Sequence, residues 1–239
     1  MTYGARIYNA NGFLQITGQF KNLAFRAKGS TVSGGTALPG HAFYQASYTF
    51  AGSAVSILAF ACAAPCAILS CVDNGNGTFT ATFAVNGTGV TVQVFVFDDP
   101  AYSTIVGNYG VRVRTDDGSA VAFDSRTRYM RVINFVGGSE ASGTGPDGGV
   151  SYNNSSSSIA VVQTQLRCDS TASLTIVPPS QFTYAYNFAA LVASISGAQL
   201  ALSKVAMSTY GGTVSASPSL PPSYSQTGWG YLILDVSNF

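Results

Sequence analysis

AVSILAFACAAPCAILSCV, residues 54–72, holds no charged side chain and is long enough to cross a membrane as a helix. Its composition argues against that. The segment is rich in Ala and Ser rather than Leu, and Pro65 sits inside it, where a helix would lose a backbone donor. Val55, Ile57, Ala59 and Ala61 alternate with Ser56, Leu58, Phe60 and Cys62, the two-residue period of a strand. The reading is therefore two buried strands joined by a turn near Ala63-Ala64-Pro65-Cys66, with no membrane span.

Outward from this segment, strand and turn signals alternate. Downstream, Ala67 to Val72 runs into Asp73-Asn74-Gly75-Asn76-Gly77, then Thr78 to Val85 alternates strictly. Asn86-Gly87-Thr88-Gly89 turns into Val90 to Phe97, and Asp98-Asp99-Pro100 ends the block as a turn. Three strands on two short turns predict a meander. Upstream, Ala42 to Phe50 reads as a strand, and Arg6 to Tyr8 and Phe13 to Ile16 flank a hairpin turn at Asn11-Gly12. Beyond the middle of the chain, Ile159–Val162, Ser173–Val177, Phe182–Tyr186 and Gly228–Val236 suggest further strands. Leu191 to Leu202 suits either a strand or a helical face. The predicted class is all-β, an antiparallel sandwich of one large or two packed β units.

Gly137 to Ser158 is rich in Gly, Ser and Asn and has little apolar surface to bury. It is expected as a long loop or linker, dividing an N-terminal unit, 1–136, from a C-terminal unit, 159–239, or protruding from one continuous domain.

Composition narrows function. Charged residues are 9% of the 239, against about 25% in an average soluble protein, and mean hydropathy is +0.25. Such a chain has few charges to keep a large surface in solution, which points to burial against other subunits. A net charge of +1 gives no electrostatic case for nucleic acid. The opening residues lack a basic region followed by an apolar core, so no secretory signal is expected.

Cys62 and Cys66 have a metal-like spacing, but His41 is the single histidine, and Cys71 and Cys168 complete no zinc pattern. Buried thiols are the expectation, with a disulfide open if the protein is extracellular. Asp73 to Gly77 places glycines where a calcium loop needs ligands, and reads as a turn. Neither a metal nor a cofactor is expected. Catalytic residues are not expected either. Glu140 is the sole glutamate, Ser125 lacks a nucleophile elbow, and no phosphate or dinucleotide fingerprint occurs.

The densest charge is an arginine-rich hairpin. Gly110-Val111-Arg112-Val113-Arg114 leads through Asp117-Gly118 to Phe123-Asp124-Ser125-Arg126, followed by Arg128 and Arg131. Val111 and Val113 are expected inward, and Asp124 can pair with an arginine across the hairpin. Arg112, Arg114, Arg126 and Arg128 read either as a solvated strand face or as a protein-docking edge. Tyr210, Tyr224 and Trp229 are candidate ligand or subunit-contact aromatics, with the core as the alternative.

Three short motifs carry a resemblance: the opening Thr2-Tyr3-Gly4-Ala5-Arg6-Ile7-Tyr8-Asn9-Ala10-Asn11-Gly12, the Gly-Val-x-Val…Asp-Gly…Phe-Asp-Ser-Arg hairpin, and the closing Leu234-Asp235-Val236-Ser237. In this order they resemble small tail-tip or tail-fibre-associated structural proteins of siphophages. The resemblance implies a non-enzymatic virion component, made in the host cytoplasm, that assembles as a homo-oligomer with a central tip or fibre protein. It transfers no catalytic residue. A receptor-binding module for a host glycan or pilus and a capsid-decoration or tail-tube subunit are the alternatives.

Overall fold

The structure is a computed structural model that describes residues 6–8, 14–17, 21–35, 43–139, 150–153, 158–177, 181–216, 218 and 223–239. It is a sandwich of antiparallel sheets, without an α-helix among those residues. A small hairpin pairs β1 (Arg6–Tyr8) with β2 (Leu14–Thr17). The first large sheet uses β3 (Ala24–Val32), β5 (Ile57–Cys62), β8 (Thr91–Asp98), β11 (Val132–Ser139), β13 (Ile159–Gln165) and β18 (Gly228–Asp235). Their order is β11-β18-β13-β5-β8-β3. The second uses β4 (Phe43–Ala51), β6 (Cys66–Asp73), β7 (Thr78–Asn86), β12 (Val150–Asn153), β15 (Gln181–Ser196) and β16 (Gln199–Val214), in the order β12-β16-β15-β6-β7-β4. β14 (Cys168–Val177) adds to β15, and β17 (Tyr224–Gln226) adds to β14. Both large sheets thus mix strands from before and after the Gly/Ser-rich stretch. Of that stretch, 137–139 belong to β11 and 150–153 to β12, while 140–149 and 154–157 lie outside the described residues.

The uncharged segment forms two strands, β5 and β6, with the turn at residues 63–65. The turn carries the chain from one sheet to the other. Facing residues of both sheets, including Phe60, Val94, Ile159 and Ile233 against Phe83, Val85, Leu191 and Leu202, make the main apolar cluster. Leu191 to Leu202 resolves as the end of β15, a reversal with Gly197 at φ +59°, and the start of β16.

The expected meander is corrected. β6 and β7 pair as a hairpin, but β8 leaves β7 and pairs with β3 and β5 in the opposite sheet. The physical cause is Ser33, which satisfies the turn from outside. Its hydroxyl donates to Gly87 O and accepts from Val90 N–H, its N–H bonds Val90 O, and its carbonyl accepts from Gly89 N–H. With its polar groups met by the residue just after β3, the turn does not need a paired β7 and β8.

The two halves of each sheet meet at a narrow seam. β13 pairs with β5 through Val161 and Phe60, and β15 with β6 through Ala193 and Cys66. Two side chains bridge between the sheets close to these seams. Gln163 Nε2 donates to Ile68 O at 2.8 Å, and its Oε1 accepts from Ile68 N–H at 3.0 Å, so one amide stands in for a neighbouring strand. Tyr231 Oη, fully buried, donates to Leu191 O at 3.0 Å.

Candidate docking surface

Between β8 and β9 (Arg112–Arg114) the chain makes a short 3-10 turn, Pro100–Tyr102, opened by the Asp99 carboxylate accepting from Ala101 N–H. Asp98, behind it, is fully buried. Burial pushes its pKa up, but hydrogen bonds from Ser53, the Asp99 N–H and Ser56, with the Arg26 guanidinium, outweigh that and hold it below the usual carboxylate value. The base of the following loop is therefore fixed. The loop itself is not paired into a sheet, and it exposes Tyr102, Ile105, Val106, Tyr109 and Val111 within ten residues. Tyr109 is 95% exposed.

The arginine hairpin lies against this loop. β9 pairs with β10 (Val121–Asp124), with Gly118 at φ +72° in the turn and Asp124 opposite Arg112. Asp124 is buried, and two candidate docking arginines converge on it. Arg126 clamps it with Nε and Nη2 at 2.8 and 2.7 Å, and Arg112 Nε reaches it at 2.8 Å. The Arg126 fork leads the causes that hold the Asp124 carboxyl far below its ordinary value. Arg114 bonds the turn carbonyl of Gly118, and Arg128 bonds the carbonyl of Asn238 near the C-terminus. Both remain exposed. Arg112 and Arg126 are thus committed to Asp124, while Arg112, Arg114 and Arg128 keep much of their surface in solvent.

Val113 is buried, but Val111 points outward, against expectation. β9 begins one residue after Val111, whose N–H is taken by Ser125 Oγ, so the strand period does not yet apply there. Loop and hairpin are tied by Val106 N–H to Arg126 O. A shallow pocket where they meet is lined by Phe25, Thr104, Val106 and Arg128.

A second surface is an arm made by β14, β15 and β16. From Ser170 to Ser203 the sequence has no charge. β15 and β16 pair from Ser196 and Gln199 out to Phe182 and Val214, and β14 covers the other edge of β15 up to Gln181. The core clusters stop at Phe188 and Met207; beyond them the strands project with Leu174 and Ile176 exposed. At the arm's root Arg167 and Lys204 flank the buried Asp169, which also accepts from Ser225 Oγ.

Trp229 takes the core alternative, 7% exposed. It sits opposite Gly138, whose missing side chain leaves room for the indole: a Cβ there would lie 3.2 Å from Nε1. Tyr210 faces Tyr186 across β16 and β15, and Tyr224 faces Ser170 across β17 and β14. The side chains of Tyr210 and Tyr224, and all of His41, lie outside the described part of the structure. Asp73 to Gly77 closes as a turn on its own side chains, Asp73 accepting from Gly75 N–H and Asn76 from Thr78 N–H. No group of three or more His, Cys, Asp or Glu suited to a metal occurs among the described residues, and no helix there is long and apolar enough to cross a membrane.

Nothing in the residue pattern marks the Tyr102–Val111 loop in advance. Its residue types are those of a strand, and only the absence of a pairing partner exposes them. No protein-family model, curated protein or solved structure matches the chain.

Proposed function

We propose that this chain is a non-enzymatic structural subunit that docks on another protein, and that its setting is the tail tip or tail fibre of a tailed-phage virion. The observation that carries the docking is the Tyr102–Val111 loop, which presents five large apolar side chains to solvent, with Arg128 beside Val106 at the loop's edge. Tyr and Arg around an apolar centre are the residues that dominate protein interfaces. The loop stands on a fixed base, through Asp98 and the Arg126 carbonyl, so docking loses little ordering entropy. The partner of matching chemistry is a protein with an apolar recess and an acidic rim, here the central tip or fibre protein. The uncharged arm supports self-association: three strands projecting beyond the core are marginal alone and gain from a second copy. The phage setting rests on the three sequence motifs.

The test uses purified particles of the source phage and immunogold electron microscopy. Label at the tail end in a few copies is the expected result. Label along the tube or over the shell would replace this reading with the tube or decoration alternative. Absence from particles would end it. In a complementation assay, Val106→Asp with Tyr109→Asp should abolish incorporation while leaving the melting temperature of the free protein unchanged, because both side chains are exposed.

A further inference from the structure

Cys62 ends β5 in one sheet and Cys66 begins β6 in the other, separated by the three-residue turn that crosses the sandwich. Both are free thiols and both are buried. Both side chains belong to the main apolar cluster, packed at the two ends of the same turn. Cys62 also borders a surface depression of about 450 Å³, together with Ala61, Ala63, Gln93, Ile159 and Gly197. Cys66 lies behind it, fully enclosed. The other cysteines are differently placed, Cys71 exposed on β6 and Cys168 half-buried at the start of β14.

We infer that Cys62 and Cys66 form a peroxide-driven oxidation site that closes to an intramolecular disulfide and ties the two sheets covalently. Cys62 is the attacking sulfur. The Cys66 hydrogen bond, helped by the Ala64 N–H and opposed by burial, holds its pKa below the ordinary thiol value, while burial first and the bond to Cys62 second push Cys66 up. The Cys62 thiolate attacks one oxygen of hydrogen peroxide, the O–O bond breaks, hydroxide leaves, and a sulfenic acid forms. The Cys66 sulfur then attacks the Cys62 sulfur, the S–O bond breaks, and the hydroxyl leaves as water with the Cys66 proton. Two thiols are oxidised and one peroxide is reduced to two waters. A small oxidant suits a sulfur as enclosed as that of Cys62.

The test treats the native full-length chain with hydrogen peroxide. Free thiols are then alkylated in denaturant with one reagent; after reduction, newly freed thiols are labelled with a second, and both labels are located by mass spectrometry. Cys62 and Cys66 should carry the second label together, and the oxidised chain should be lighter by about 2 Da for this pair. In Cys66→Ser, Cys62 should stop at the sulfenic acid and react with dimedone. The inference is overturned if both cysteines keep the first label while Cys71 is oxidised, or if Cys62 pairs with Cys71 or Cys168. An unreactive Cys62 in Cys66→Ser overturns it as well.

Discussion

Gln163→Leu isolates the amide that bridges the sheets. The side chain keeps its approximate volume and loses both hydrogen bonds to Ile68, at 2.8 and 3.0 Å. Ile68 then has an N–H and a C=O on the side of β6 away from β7 with no protein partner to replace the amide. Orphaning a buried backbone group costs about 1–3 kcal/mol. Both residues are half-buried, so water recovers part of the loss, and the two groups together come to about 2–3 kcal/mol. The added apolar surface of Leu returns about 1 kcal/mol. The net expectation is a destabilisation of about 1–2 kcal/mol, or roughly 3–6 °C in melting temperature for a chain of this size.

Gln163→Glu sharpens the test. A carboxylate can accept from Ile68 N–H but repels Ile68 O, whereas the protonated acid can donate to it. The folded pKa of this Glu is therefore raised above its unfolded value of about 4.3. Its stabilising contribution is present below that value and lost as pH rises through the folded pKa. Relative to wild type, Gln163→Glu should be weakest near neutral pH and nearest to parity around pH 4. Urea unfolding at both pH values measures this. A Gln163→Leu change under about 0.5 kcal/mol, or a Gln163→Glu deficit equal at both pH values, would refute the bridging role.

Other outcomes follow from neighbouring features. Tyr231→Phe removes the buried phenol–carbonyl bond to Leu191 and should cost about 1 kcal/mol in urea unfolding, with the sheets otherwise unchanged. Gly29→Ala places a Cβ 2.1 Å from the Tyr48 oxygen and within 2.7 Å of its ring, displacing a side chain stacked on Phe50. Overpacking of this kind costs about 1–3 kcal/mol, and Gly29→Ala with Tyr48→Ser should recover part of it. Asp98, Asp124 and Asp169 are all held below their ordinary value, so each binds more protons unfolded than folded. Their contribution is present above about pH 4 and lost as pH falls through the folded values, and thermal melts between pH 6 and 2 should show a steep decline beginning near 4.

The period-two pattern of the sequence was enough for the class and for most strands, because each strand buries one face locally. Ala54 to Val72 is the clearest example: Pro65 and the Ala/Ser content separate two strands from a helix. What the residues between strands do not encode is which sheet the next strand joins. Asn86 to Gly89 looks like any hairpin turn, and its crossing depends on Ser33, far away in the chain. The candidate docking surface was half legible. The arginines stood out by composition, yet Asp124 absorbs Arg112 and Arg126, and the pairing of one buried carboxylate with two guanidinium groups is set by tertiary distance. Trp229 looked available for contact because nothing nearby in the sequence marks Gly138 as the gap it fills.

The absence of charge along the arm has a consequence for the medium in which an assembly can hold. Contacts made by Leu174, Ile176 and their uncharged neighbours involve no ion pairs for added electrolyte to screen, and salts excluded from protein surfaces strengthen apolar burial. Joints built through this arm should persist from dilute buffer to brine, whereas any joint relying on Arg114 and Arg128 should loosen as ionic strength rises.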